Sequence, residues 1–271
     1  MTVRISPDPA VRPDGQVGQD GRVREIADLE ELVELSGDDL LCRWAAQGLD
    51  GRSRGWATDD GAGIAIATPA LATKDRIAVH GSLAGAASLL PLVMAEVGDS
   101  FRPFGERRLI RGLSDMVELD DARGLRVAGE FGWMDRADPL DDEVSDAHWL
   151  HPEDDAAIDE LIAAGNPDSY AKPGDSAVER WAGIRDDHDR LIAVAALAWS
   201  APDIGFIAGV TVHPDVRGNG LSERVCRLIA GESLRERGAV GLMVDEPNPA
   251  AVRTYRKLGF DYRELAAAEL A

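Results

Sequence analysis

The sequence predicts a mixed α/β (α+β) protein, with a central sheet flanked by helices. Three observations carry this. Short apolar runs recur along the chain, amphipathic segments at helical spacing lie between them, and the second half repeats the order of the first. The strand endings RIAVHG and GVTVHP follow hairpins at about the same separation, which is compatible with an internal duplication and equally with two α+β segments that coincide.

The elements follow in order. Residues 1–22 are rich in Pro, Gly and Asp without hydrophobic period, and are read as a disordered tail. Leu29, Leu32, Val33, Leu40, Leu41 and Trp44 suggest one helix, or two joined near Gly37. GWATDDGAGIAIATP reads as a hairpin and RIAVHG as a further strand; LAGAASLLPLVMAEVG is helix-like, RRLIRGL strand-like, and GLRVAGEFGWM a last strand. The acidic DRADPLDDEVSDA is the candidate linker, separating an N-terminal domain, 23–140, from a C-terminal one, 147–271. There, HPEDDAAIDELIAAG is an amphipathic helix with an acidic first turn. Two strands follow around DDHD, then the strand DIGFIAGVTVHP. Helix, strand, helix and strand close the chain: GLSERVCRLIAGESLRERG, AVGLMVDEP, NPAAVRTYRKLG and FDYRELAAAEL.

Composition excludes some functions. A formal charge of −20 argues against nucleic acid, because phosphate neutralisation needs Lys/Arg clusters. Acidity favours solubility, and a negative field could attract a cationic amine. No run approaches the roughly 20 apolar residues of a membrane span, and MTVRISPDPAVRPDGQ lacks a signal-peptide apolar core, so a cytoplasmic protein is expected. Cys42 and Cys226 fall on apolar-periodic stretches and read as small buried side chains.

VRGNGLSER raises the functional question, because it places Gly218 and Gly220 where a helix begins. A helix start offers unpaired N–H groups and partial positive charge, and glycines let a pyrophosphate approach the backbone. Leu221, Val225, Leu228 and Ile229 then give the helix an inward face, and Gly238 ends it. The Walker A pattern fails for want of Gly-Lys-Ser/Thr, and the dinucleotide fingerprint fails at Glu223. Further on, Asn248 is a good N-cap with Pro249 at the first helical position, while Val252, Tyr255 and Leu258 share a face before Gly259.

Taken together, HPDVRGNGLS resembles the R-x-x-G-x-G/A loop of the GNAT superfamily of acyl-CoA N-acyltransferases, and NPAAVRTYRKLGF resembles its second signature. The resemblance covers about residues 147–265 and is strongest from Gly205 to Phe260. It departs at Ser222, which stands at the last Gly/Ala position, and in lacking an obvious seventh strand, which the first half could supply. HGSLAGAAS in the first half lacks the loop pattern, so the resemblance implies a GNAT-type fold in two halves, the N-terminal copy degenerate.

The resemblance implies acetyl transfer from acetyl-CoA to the amine of a small molecule or peptide, without a metal, by a monomer or homodimer. Val210, Thr211 and Val212 would pair with the pantetheine arm; Arg217, Gly218, Asn219, Gly220, Leu221 and Ser222 would hold the pyrophosphate. Asn248 would touch the cofactor, and Tyr255 would be the general acid. No carboxylate in GFIAGVTV stands as a base; Asp203 is a candidate, though an exposed turn aspartate is the more probable reading. A non-catalytic acyl-CoA-binding module is the alternative function. His148 and His151 lack a third ligand and read as a surface pair. His213 could face the acyl site, DDHD reads as a turn, and Trp133, Trp149 and Trp181 as core or cleft lining.

Overall fold

The two halves of the chain run through a similar order of elements, with two α-helices after the first strand of the first half and one in the second. The first gives β1 (Val23–Glu25), α1 (Leu29–Ser36), α2 (Leu40–Ala46), β2 (Arg54–Thr58), β3 (Gly63–Leu71), β4 (Lys74–Gly81), α3 (Leu83–Val97), β5 (Arg102–Glu106), α4 (Arg107–Met116) and β6 (Leu125–Arg136). The second gives β7 (His148–Trp149), α5 (Asp155–Gly165), β8 (Val178–Arg185), β9 (Leu191–Ala198), β10 (Ile204–Val212), α6 (Leu221–Glu236), β11 (Ala239–Asp245), α7 (Pro249–Lys257) and β12 (Asp261–Leu270). This computed structural model describes residues 23–117, 123–141, 145–245 and 248–271; the tail expected at 1–22 lies outside them.

The strands form one sheet in the order β1-β2-β3-β4-β5-β12-β6-β11-β10-β9-β8-β7. Its two ends mirror each other, and the final strands are exchanged. β12 pairs with β5 of the first half, while β6 lies between β11 and β12. Two pairs are parallel, β4 with β5 and β10 with β11, as crossovers through α3 and α6 require.

Strand alternation assigns one set of side chains to each face. Ile64, Ile66 and Phe206 join a core with α1, α2 and α5, whereas Ala65 and Ala67 pack with α3 and α4. Ala193, Ala195 and Ile207 pack with α6 and α7. Trp44 of α2 joins the halves: its ring centroid lies 4.5 Å from Phe206 of β10 and 5.3 Å from Trp133 of β6. Its indole N–H donates to the Trp199 carbonyl at 2.8 Å. Trp44→Ala should lower the unfolding free energy by about 3–5 kcal/mol, read from a urea titration, because the site is fully buried.

The structure corrects the reading of RRLIRGL. These residues open helix α4, with Leu109, Ile110 and Leu113 buried on one face. Consecutive apolar residues fit either period, and FRPFGE, not recognised as a strand, forms β5 immediately before. The short edge strands β1 and β7 also escaped notice, and β6 runs on into Asp135 and Arg136 of the candidate linker. Gly37 adopts φ 65° and separates α1 from α2, so the first helical segment is two helices.

Candidate active site

The site begins where two parallel strands part. β10 and β11 are paired from Ile204↔Ala239 to Ile207↔Leu242, after which β11 continues against β6 alone. On its other edge β10 keeps β9 as far as Val212↔Ala193, with an irregularity between Ala208 and Thr211. Gly209 makes this bulge at φ 60°, and a Cβ there would meet the Trp181 ring at 3.0 Å and Ala171 at 3.1 Å. The edge of Ala208–Val212 that faces β11 therefore has no strand partner. Val210 and Val212 are half-buried, while Thr211 is buried with its hydroxyl donating to the Gly209 carbonyl at 3.0 Å.

Beyond Val212 the chain makes a 3-10 turn, Pro214–Val216, and enters the glycine loop. Arg217, although exposed, braces the loop: Nη2 donates to the Gly165 carbonyl at 2.7 Å and Nε to that of Val212 at 3.3 Å. Asn219 Nδ2 donates to the Val216 carbonyl at 3.0 Å. Gly218 and Gly220 have φ of 83° and 73°, and nothing lies within 4 Å of a Cβ built on either. Gly220 caps α6 without a side-chain bond, and the first helical hydrogen bond is Arg224 N–H to the Gly220 carbonyl at 3.1 Å. The preceding N–H groups, including those of Leu221 and Ser222, thus begin the helix uncapped beside an open loop. Glu223, in the same turn, lies 3.6 Å from Lys257 and 3.9 Å from Arg227, which hold its carboxylate.

Tyr255 sits on α7 facing α6, only 6% exposed. Burial, with the Cys226 thiol beside its hydroxyl, holds the phenol well above its ordinary range. The thiol is itself pushed up to about 12 by burial. Cys226 lies five residues after Leu221, about 8 Å along α6 from its start. The phenol therefore stays protonated at neutral pH, and it lies between α7 and the first turns of α6. Asn248 caps α7 through Oδ1, which accepts from the Ala251 N–H at 3.0 Å.

Other sequence candidates fall elsewhere. Asp203 precedes β10 at the end remote from the open edge, and its carboxylate accepts from Arg43 Nη2 at 2.6 Å and Nε at 2.9 Å. That placement removes it as a base. His148 pairs with Gly183 at the far sheet edge, and His151 opens a 3-10 turn. Asp186 of DDHD accepts from its own turn. His213 is held by the loop, its Nδ1 accepting from the Asp215 N–H at 3.3 Å. Trp133 is core, Trp149 stacks under Arg180 at 3.8 Å, and Trp181 supports the bulge. Sequence reasoning missed the roles of Gly209 and Cys226. A glycine inside a strand was the available signal for the first; nothing local signals the second.

The first half offers an instructive contrast. β4 and β5 pair in the same parallel manner, Arg76↔Arg102 to Val79↔Gly105. Only His80, Gly81 and Ser82 then lead towards α3. Ser82 caps this helix, its hydroxyl accepting from the Gly85 N–H at 3.1 Å, and a Cβ on Gly85 would lie 2.5 Å from the Ala62 backbone. No bulge or glycine loop intervenes, and the helix start is closed. The cleft here, of about 130 Å³, is lined by Cys42, His80, Glu106 and Arg263 among others. Ligand atoms of Asp39, Cys42 and His80 lie within 4.8 Å of one another, but the Arg263 guanidinium is bonded to the Asp39 carboxylate.

Comparison with known proteins shows the family. The Acetyltransferase (GNAT) family model matches residues 140–260. A mycothiol acetyltransferase of Mycobacterium sp. (strain JLS) is 30% identical over 220 residues, covering 78% of this chain and 70% of that protein. The chain belongs to the GNAT family of acetyltransferases. A mycothiol acetyltransferase of Mycolicibacterium smegmatis is 32% identical over 229 residues, with 78% and 70% covered. Among solved structures, a GNAT-family acetyltransferase from Colwellia psychrerythraea superposes with a TM-score of 0.52 at 14% identity, covering 91% of this chain and 99% of that one. A GCN5-related N-acetyltransferase from Sphaerobacter thermophilus gives 0.51 at 16% identity, with 88% of each covered. These structural likenesses concern the fold. Within this GNAT enzyme, among the described residues, no helix is long and apolar enough to cross a membrane.

Proposed function

We propose that this GNAT enzyme transfers an acetyl group from acetyl-CoA to a primary amine by direct attack, with Tyr255 as general acid. The observation that carries the reading is the open end of β10 running into an uncapped, glycine-lined start of α6. The donor set fits the cosubstrate: backbone groups of Val210, Thr211 and Val212 for the pantetheine amides, and N–H groups from Arg217 to Ser222 for the pyrophosphate. Asn248, at the start of α7, contributes to the same site. Acetyl-CoA supplies an activated acyl carbon and a thiol leaving group.

The protein's task is to align the amine with that carbon and to manage protons. As the C–N bond forms and the C–S bond breaks, the Tyr255 phenol gives its proton to the departing sulfur. The proton lost by the amine passes to a base other than Asp203. In this reading 147–271 is the competent domain and 23–140 a degenerate copy, because the start of α3 is capped and packed shut. The relatives named mycothiol acetyltransferase make a mycothiol-related amine the first acceptor to try. Two buried, unbonded cysteines suit a reducing cytoplasm.

The test is thiol release from acetyl-CoA with a panel of amines, peptides and sugar amines, beside calorimetry of acetyl-CoA binding. Tyr255→Phe should lower kcat by about 100-fold or more while acetyl-CoA affinity stays within a factor of two. Loss of binding together with rate would reassign Tyr255 to packing, and no release from any amine would refute the enzyme reading.

A further inference from the structure

A second feature of the sheet is out of keeping with an acidic chain. Lys74, Arg76 and Arg102 converge at the outer ends of β4 and β5, where Arg76 and Arg102 are directly paired across the strands. Arg76 is buried, at 8% exposure. Its Nε donates to the Leu71 carbonyl at 2.9 Å and its guanidinium lies 5.4 Å from the Phe104 ring, but among the described residues no carboxylate is within ion-pair distance of it. The neighbouring carboxylate, Glu269, lies 3.4 Å from Arg102 and is shared with Arg126. Burial, with the Arg102 guanidinium nearby, lowers the Arg76 pKa to about 10. A buried arginine without a counter-charge is costly, and its planar fork matches a carboxylate or phosphate.

The cluster is connected to the candidate active site. Lys74 Nζ lies 5.9 Å from the Tyr170 ring, which is 58% exposed. The next residue, Ala171, packs on the Gly209 bulge of β10. Gly165, at the start of the same connection, accepts from Arg217 of the glycine loop. The cluster also lies on the sheet face that carries α1, α2 and α5, whereas α6 packs on the opposite face. The cationic groups are thus on the opposite sheet face from the helix start assigned to the pyrophosphate. β12, β6 and β11 separate β5 from β10, so strand spacing of about 4.8 Å places Arg102 roughly 15–20 Å from the open edge.

We propose that Lys74, Arg76 and Arg102, with Tyr170, form an oxyanion subsite of the acceptor cleft. The acceptor is then an elongated molecule whose amine and whose carboxylate or phosphate are separated by roughly 15–20 Å. This rests on the acetyltransferase reading above. It extends that reading to a property of the substrate.

The experiment compares a hexapeptide amine ending in a free carboxylate with the same peptide ending in an amide, and a dipeptide pair too short to span the cleft. KM should be at least tenfold lower for the hexapeptide carboxylate than for its amide. That ratio should collapse towards one in Arg102→Gln, and the dipeptides should show no difference. Equal KM for the two hexapeptides, or a ratio retained in Arg102→Gln, would overturn the proposal. Calorimetry with inorganic phosphate on protein saturated with acetyl-CoA reads the subsite without turnover: binding should weaken at least fivefold in Arg102→Gln and in Lys74→Gln. If no amine is acetylated, the proposed function fails by itself. The phosphate titration then decides the subsite, and absent or unchanged phosphate binding rejects it.

Discussion

Gly220→Val should leave a folded protein that binds acetyl-CoA at least about 100-fold more weakly. Gly220 has φ 73°, a region in which a β-branched residue is strained by about 1–2 kcal/mol, yet nothing within 4 Å would touch its Cβ. The fold therefore has no packing reason to fail, and the strain is relieved by rotating the peptide planes that aim the loop N–H groups. Losing two charge-assisted hydrogen bonds at about 1.5–3 kcal/mol each corresponds to at least two orders of magnitude in affinity. Calorimetry with acetyl-CoA and a urea titration on the same sample separate the two effects. Full affinity in a folded Gly220→Val protein would reject the assignment of the glycine loop, and with it the route to Tyr255.

Residues 147–271, expressed alone, should fail to fold cooperatively. They include both signatures and the helices α5, α6 and α7, so as a linear annotation they look sufficient. In the sheet, however, β11 and β12 do not touch each other along their paired edges, because β6 lies between them. β6 pairs with β11 from Val240↔Arg136 to Asp245↔Phe131, and with β12 from Asp261↔Asp135 to Leu270↔Leu125. Removing it also removes Trp133 and Met134, both fully buried, from the cores on the two sheet faces. The expected result is a broad thermal transition and no acetyl-CoA binding, with recovery of both on co-expression with 23–141. A sharp transition in 147–271 alone, with binding intact, would show that β11 and β12 can close on each other.

Much of the local structure was legible. Asn248 marks a helix start that its side chain caps, Gly238 ends α6 at φ 93°, and DDGAG turns β2 into β3. Each of these signals acts within a few residues, through a positive φ, a side-chain cap or a fixed apolar period, so the chain segment carries it whole. RRLIRGL failed the same treatment because adjacent apolar residues satisfy both periods; what settled it was the packing of Leu109, Ile110 and Leu113 against β6 and β12.

By itself, then, the sequence determined the helices other than α4, most of the strands, the glycine loop before α6 and the family to which they point. The tertiary structure alone decided the exchange of β6 and β12, the Gly209 bulge over Trp181, the placement of Cys226 against Tyr255, and the meeting of Lys74, Arg76 and Arg102 beside Tyr170. The physical reason is range. Caps, turns and apolar periods are set by neighbours along the chain, whereas strand partners and charge clusters depend on which edges and faces remain open once distant segments have packed.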